Sequence, residues 1–210
     1  MAIPYSDDHR LIFIHIPKNA GTSIYRLFDL PPGHADIELI RGTLPADKVA
    51  TYVKFAIVRN PFDRLVSNYL YAKMPNSLYH GKDNPHPDYR RLRRKSFGAC
   101  VKLLKKGKLR HEGWGDQYQW VFREGLLVVD EILYFESLQE DLDEFCTKYG
   151  IVGGTLPVTN QSFNRNWRKF YTSRLMDEVL EFYQRDFERF YNLEGKPRLN
   201  RPLPKITDEA

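Results

Sequence analysis

A short, almost continuous apolar run, Leu11-Ile12-Phe13-Ile14-His15-Ile16, constrains the fold of this chain more than any other feature. It ends at Pro17 and predicts a strand that is buried on both faces, as in a parallel sheet. The polar loop 18–23 follows, and residues 24–30 have a helical pattern that stops at Pro31-Pro32. A strand, a tight loop and a helix make the front half of a βαβ unit.

Strands and helices are predicted to alternate along the rest of the chain. Residues 53–58 form a second buried strand in this prediction, and Pro61 is well placed to open the next helix. One or two strands are expected within 126–135, and helices around 97–104, 138–149 and 174–191. We therefore expect an α/β fold, a P-loop-like three-layer sandwich with a central parallel sheet flanked by helices.

The composition fits one domain, predicted over residues 1–194, with 195–210 as an extended or mobile C-terminal tail; 42% of the 210 residues are hydrophobic. No apolar run approaches the roughly 20 residues of a membrane helix, and the first eight residues lack the layout of a signal peptide. Cys100 and Cys146 are far apart and not in a metal-binding spacing. These features favour a reduced, cytoplasmic protein.

The loop between the first strand and its helix is the first candidate site. Backbone N–H groups at a helix start suit a phosphate or sulfate, and Gly21 would let the backbone approach the anion closely. The candidate ligands are Lys18, Asn19, Ala20, Gly21, Thr22 and Ser23. The lysine precedes the glycine by three residues, so the Walker A pattern is absent. On the loop alone, an ordinary turn with a solvated lysine remains an open alternative.

Arg59, at the end of the second strand, marks the second candidate site. A magnesium-dependent P-loop enzyme commonly places an aspartate near a strand end, whereas an arginine suits a second phosphate. Ser67 lies about two turns into the next helix, roughly 10 Å along its axis, and could share that phosphate. A salt bridge from Arg59 to Asp63 is the alternative. Two anion sites favour a nucleotide with two separate phosphate groups, such as 3′-phosphoadenosine 5′-phosphosulfate (PAPS), bound without a metal.

Both segments resemble motifs of the PAPS-dependent sulfotransferases. Residues 14–23 are similar to the 5′-phosphosulfate loop, and residues 55–67 to the 3′-phosphate motif, within a resemblance that spans about 10–192. It is nearest to the carbohydrate sulfotransferases that include heparan sulfate 2-O-sulfotransferase and bacterial relatives. It implies that 18–23 hold the phosphosulfate and that Arg59 with Ser67 holds the 3′-phosphate. The family also uses a late loop, here 160–172, whose candidate ligands include Ser162 and Arg165.

Sulfuryl transfer needs a base for the acceptor hydroxyl, and histidine titrates in the right range. The resemblance implies a catalytic histidine between the two phosphate motifs, and His34, in a loop after Pro31-Pro32-Gly33, fits that position. Lys18 would neutralise charge on the departing phosphate. His15 lies inside a strand and is predicted to be a hydrogen-bonded core residue. His80 is the second candidate base, and a surface-turn role for His34 stays open.

Residues 73–95 carry seven Lys or Arg against two acids, and three prolines interrupt them, so an exposed segment outside the core is predicted. This segment favours a hydroxyl-bearing acceptor with negative charge, such as an anionic glycan. Two other functions remain open: a P-loop kinase or NTPase with Glu136 near its metal, and a non-catalytic polyanion binder. Aromatic residues are sparse there, which argues against nucleic acid as a partner.

Overall fold

The computed structural model describes residues 2–77, 80–157, 166–192 and 195–197. The chain forms two compact units, each built from separate segments. The first unit comprises residues 1–59, 117–161 and 197–210, and the second comprises 60–116 and 162–196. The assignment of 1–194 to one sulfotransferase domain, with a tail from 195, stays a prediction.

The described residues form the following strands and α-helices, given in chain order. They are β1 (Tyr5–Ser6), β2 (Leu11–Ile14), α1 (Gly21–Leu27), α2 (Ile37–Thr43), α3 (Ala46–Thr51), β3 (Val53–Val58), α4 (Pro61–Ala72), α5 (Tyr89–Leu92), α6 (Phe97–Lys105), α7 (Tyr118–Val121), β4 (Phe122–Arg123), β5 (Leu126–Leu127), β6 (Glu131–Tyr134), α8 (Leu138–Tyr149), α9 (Ser173–Phe182) and α10 (Gln184–Arg189). Short 3-10 turns lie at Glu112–Trp114, Phe135–Ser137 and Trp167–Phe170.

A four-stranded sheet with the order β1-β2-β3-β6 forms the centre of the first unit. β2 pairs in parallel with β3, β3 pairs in parallel with β6, and the two-residue strand β1 runs antiparallel to β2 at the edge. The predicted α/β class, with a central and mostly parallel sheet flanked by helices, is confirmed. The carboxyl ends of the parallel strands meet at one edge, where ligands bind in such sheets.

Strand β2 is buried on both faces, as its apolar sequence predicts, because all four of its residues are inaccessible to solvent. Leu11 and Phe13 lie on the same face of the sheet, which packs against α1 and α8, and there they contact a core that includes Phe55 and Phe145. The Phe13 and Phe55 rings stack with centroids 4.9 Å apart. Burial of such side chains stabilises the sheet by about 1.5–3 kcal/mol each, which fixes its carboxyl edge as a rigid base for loops.

The second unit contains helices α4, α5, α6, α9 and α10. Asn60 caps α4 by accepting from the N–H groups of Phe62 and Asp63, as expected for a helix that Pro61 opens. The Phe62 ring stacks on Trp167 with centroids 5.2 Å apart. The predicted single helix over 174–191 is interrupted at Tyr183, which separates α9 from α10.

The prediction that residues 73–95 lie wholly outside the core is partly wrong. His86, Asp88 and Leu92 are buried. The Asp88 carboxylate accepts from the backbone N–H groups of Arg110 and His111 and from the indole N–H of Trp114. A buried carboxylate is stable only when such donors replace its lost water, so the segment is anchored by a polar residue that the composition suggested would be solvated.

Candidate active site

The loop between β2 and α1 has an unusual backbone. Lys18 and Ala20 both adopt the left-handed region, with φ of 74° and 59°. This conformation costs a residue other than glycine about 1–2 kcal/mol, so surrounding contacts must hold the loop in place. The Asn19 side chain supplies them: it is fully buried, and its amide donates to the Ile57 carbonyl and to Gln117 Oε1, each at 2.7 Å. Asn19 therefore ties the loop to the end of β3.

Gln117, which is remote from the loop in the sequence, completes this connection. Its Oε1 accepts from the Arg59 backbone N–H at 2.8 Å as well as from Asn19, and its Nε2 donates to the Arg59 carbonyl at 2.8 Å. The amide thus pairs with both backbone groups of one residue, as a neighbouring strand would. Because Gln117 is fully buried, these bonds are shielded from water and hold the loop and the end of β3 together.

Arg59 extends from that clamped position toward the loop. Its Nη1 donates to the Lys18 carbonyl at 3.0 Å, and its guanidinium lies 4.0 Å from the centre of the Phe135 ring, just after β6. Arg59 is buried, so water screens its charge less and the charge acts more strongly on the neighbouring loop. The two cations predicted for separate phosphate sites, Lys18 and Arg59, are therefore close enough to affect each other.

The pKa of Lys18 records that environment. Burial of the ammonium group, with a smaller contribution in the same direction from the positive charge of Arg59, lowers its pKa to about 7. The protonated form of Lys18 is thus unfavourable in the free protein, and a bound anion would stabilise that form. The loop is therefore suited electrostatically to a phosphate or sulfate group.

Gly21 has a structural role that the sequence did not indicate. A Cβ at this position would lie 2.1 Å from Nε2 of His15, so the imidazole already occupies the space that a side chain would need. The glycine is thus required by contact with His15 at the start of α1. His15 itself is buried and hydrogen-bonded, which confirms the prediction of a core histidine.

His34 lies in the first unit beside His15. The two rings meet edge to face with centroids 4.5 Å apart, and the Trp120 ring approaches His34 at 6.4 Å. His34 is half-buried, whereas His15 and Trp120 are buried. His15 also packs on the first residue of α1, so a chain of contacts connects His34 to the phosphate loop.

The remaining predicted ligands have different placements. Ser23 donates from its hydroxyl to the Pro157 carbonyl at 3.1 Å, and Thr22 belongs to the first turn of α1. Ser67 is buried on α4 in the second unit, and its hydroxyl has no hydrogen-bond partner among the described residues. Ser162 and Arg165 lie outside the described residues. Within the described ranges, histidine, cysteine and carboxylate side chains form no group of three that could hold a metal ion.

Sequence reasoning missed Gln117 and Tyr25, which organise this site. Gln117 acts on residues 58 and 98 positions away, and no local pattern around it indicates such partners. Tyr25 falls within the predicted helix over 24–30 and was not singled out, but its hydroxyl contacts His15 and Gly33. A hydroxyl on an otherwise apolar helix face is the one signal that could have singled it out.

Comparisons with known proteins bear on the family and the fold of this chain. A family model described as "Sulfotransferase family" matches residues 2–192. No curated protein matches the chain. Among solved structures, the chain is similar to mouse sulfotransferase SULT7A1 complexed with PAP, with a TM-score of 0.54 and 13% sequence identity over 88% of this chain and 87% of that one. At this identity the likeness establishes a shared fold. In the described part of the chain, no helix is both long and apolar enough to cross a membrane.

Proposed function

The chain belongs to the sulfotransferase family, and from that premise we propose that it transfers the sulfuryl group of PAPS to a hydroxyl group of a carbohydrate. The observation that carries the proposal is the pair of cations at the carboxyl ends of β2 and β3: half-buried Lys18, with a pKa lowered to about 7, and buried Arg59 beside it. The structurally similar mouse enzyme was crystallised with PAP. PAP is adenosine 3′,5′-bisphosphate, the nucleotide that remains when PAPS has lost its sulfuryl group.

In this proposal Lys18 and the backbone of residues 19–23 bind the 5′-phosphosulfate. The acceptor oxygen attacks sulfur while the bond from sulfur to the 5′-phosphate oxygen breaks, so negative charge develops on the departing PAP. Lys18 stabilises that charge because a bound anion restores its protonated form. His34 takes the proton of the acceptor hydroxyl through a ring nitrogen.

Arg59 is proposed to bind the 3′-phosphate, and Ser67, Ser162 and Arg165 stay predictions as further nucleotide ligands. The buried hydroxyl of Ser67 lacks a partner among the described residues, which is the state expected of a side chain that a ligand completes. Arg59 carries the stronger argument, since its backbone is fixed on both sides by Gln117.

The direct test is a transfer assay with labelled PAPS and a panel of glycans, in which His34→Ala is compared with the unmodified protein. A general base contributes about 10²–10⁴-fold to rate, so kcat should fall by that factor while PAP affinity stays within about twofold. His80→Ala is the matched control, because His80 is the other histidine considered as a base. Normal turnover in His34→Ala, together with loss of turnover in His80→Ala, would transfer the role to His80.

An anionic glycan is the acceptor that we propose. The support is a basic face at α5, where Arg90, Arg93 and Arg94 are exposed and the neighbouring Lys95 adds a further charge. Arg91 differs, since its guanidinium donates to the Lys108 carbonyl and so has a structural role. Exposed cations attract an anionic partner mainly through long-range charge, which salt screens.

Replacement of Arg90, Arg93 and Arg94 by Gln should therefore raise the acceptor KM several-fold at low salt and reduce its salt dependence, with PAP affinity unchanged. The matched control replaces three exposed lysines, Lys102, Lys106 and Lys108, by Gln. It removes the same number of positive charges from a different segment. Equal KM increases in both triple variants would reduce the effect to net charge, and an unchanged KM would contradict the acceptor proposal.

A further inference from the structure

Tyr25 connects the three segments that surround His34. Its hydroxyl donates to the Gly33 carbonyl at 2.6 Å, accepts from the Gly33 backbone N–H at 3.2 Å, and hydrogen-bonds Nδ1 of His15. Tyr25 lies on α1, His15 follows β2, and Gly33 directly precedes His34 in the chain. A single hydroxyl therefore ties the helix of the phosphate loop to the backbone that carries His34.

The number of protons available in this group fixes the direction of each hydrogen bond. The Gly33 carbonyl can only accept, so the tyrosine proton is committed to it at 2.6 Å. The contact between Tyr25 and His15 then requires a proton on Nδ1, which donates to the phenolic oxygen. This assignment also suits the approach of Nδ1 to the Gly33 carbonyl at 3.3 Å. In the neutral ring, Nε2, the nitrogen that packs on Gly21, carries the lone pair.

Gly33 is confined from a second side. A Cβ at this position would lie 1.9 Å from the Ala2 carbonyl oxygen, so the N-terminal segment closes over the backbone where Tyr25 binds it. The ring of the next residue, His34, then meets the His15 ring edge to face, with centroids 4.5 Å apart. The backbone before His34 and one side of its ring are thus both held by the same pair, Tyr25 and His15.

We propose that Tyr25 and His15 are positioning residues that fix the His34 ring relative to the phosphate loop. The proposal rests on the proposed function, because it assigns to the pair a role in orienting the base of that reaction. Catalytic groups must be held closely, since a displacement of about 1 Å can cost roughly 10²-fold in rate. Neither residue needs to touch the nucleotide or the acceptor for this role.

Tyr25→Phe is the sharpest test, because it removes the hydroxyl and keeps the ring, which packs against Phe13 and His15 at 6.1 and 5.2 Å. We expect kcat to fall by about tenfold to a hundredfold, with PAP affinity within about twofold of normal. Tyr183→Phe is the matched control. Its buried hydroxyl also donates to a backbone carbonyl, that of Trp114 at 2.8 Å in the second unit, so its loss should lower stability with little effect on kcat.

A double-mutant cycle separates positioning from a general structural effect. If Tyr25 acts through His34, then Tyr25→Phe should change kcat by less than about twofold when it is added to His34→Ala. A loss of the same size in both backgrounds, or a loss no greater than that of Tyr183→Phe, would overturn the proposal. Absence of sulfuryl transfer by the unmodified protein would instead count against the proposed function.

A second readout does not depend on turnover. Diethyl pyrocarbonate modifies accessible imidazoles, and mass spectrometry can follow the reaction at His34 alone. Release of Gly33 in Tyr25→Phe should increase the modification rate of His34 at least several-fold, and bound PAP should not abolish that difference. Equal modification rates in Tyr25→Phe and the unmodified protein would overturn the positioning role whatever the activity assay gives.

Discussion

Lys18 is a cation that the folded chain holds where its charge is unfavourable. Burial and, to a smaller extent, the charge of Arg59 together lower its pKa to about 7, so a large fraction is neutral at and above neutral pH in the free protein. A bound phosphosulfate or phosphate reverses this balance, because an adjacent negative charge favours the ammonium form. Binding should therefore be coupled to the uptake of a proton by Lys18.

This coupling predicts how PAP affinity depends on pH. The phosphates of PAP have second pKa values near 6 and are ionised above pH 7, so Lys18 is the group whose protonation changes. As pH rises above about 7, affinity should fall by up to tenfold per pH unit, since more of the free protein must first bind a proton. Calorimetry in two buffers of different ionisation enthalpy should show proton uptake at pH 8.

Lys18→Arg is the control, because a guanidinium keeps its proton throughout this range. The variant should show no proton uptake and a nearly constant PAP affinity between pH 7 and 9. Lys18→Ala should lose both affinity and rate. Buffer-independent heats and constant affinity in the unmodified protein would contradict the coupling.

Candidate ligands can be identified from the sequence where a local motif carries their chemistry. Lys18 and Arg59 follow buried strands, and the position of such strands can be inferred from their apolar pattern. Asn19 was correctly placed in the loop, but its amide holds the loop to β3, which only the fold reveals. Gln117 was missed because its hydrogen-bond partners are remote in sequence, and the residues around it therefore show no pattern that indicates those bonds.

The strand–loop–helix segment from β2 to α1 depends on an element outside it. Gln117, immediately before α7, is the first residue after the chain returns to the first unit, and it supplies the bonds that join the loop to β3. The long elements were predicted well, as β3 and α8 match the expected ranges. The two-residue strand β1 was missed, since two residues carry no periodicity and its pairing with β2 defines it.

Removal of the Gln117 amide should affect both stability and nucleotide binding. Gln117→Ala leaves the Arg59 N–H, the Arg59 carbonyl and the Asn19 amide each short of one partner, at about 1–3 kcal/mol for each group left unsatisfied. PAP affinity should fall at least tenfold at temperatures where the variant remains folded. Tyr183→Phe, which also loses a buried hydrogen bond, should lower the melting temperature without this loss of affinity. Normal PAP affinity in folded Gln117→Ala would contradict the clamp.

The chain as a whole carries a net charge of +5, and its two units are each assembled from segments far apart in sequence. This net charge favours anionic partners, but composition could not predict the division into two units, because that division arises from contacts between distant segments. The net charge also does not distinguish a nucleotide with two phosphate groups from any other anion. That distinction depends on where Lys18 and Arg59 lie, and it can be measured on the intact protein.

Thermal unfolding with different nucleotides provides that measurement. PAP at about 100 times its Kd should stabilise the protein by about 2.7 kcal/mol, which raises Tm by roughly 5–10 °C for a chain of this size. AMP, which lacks the 3′-phosphate, should give a much smaller increase at the same concentration. We predict that EDTA leaves the PAP effect unchanged, since the nucleotide is held by Lys18 and Arg59 in this proposal. Arg59→Ala should lower PAP affinity about tenfold to a hundredfold, through loss of a charge-assisted contact, and bring it close to that of AMP. Equal stabilisation by PAP and AMP, or a PAP effect that EDTA removes, would contradict a metal-independent site for two phosphate groups.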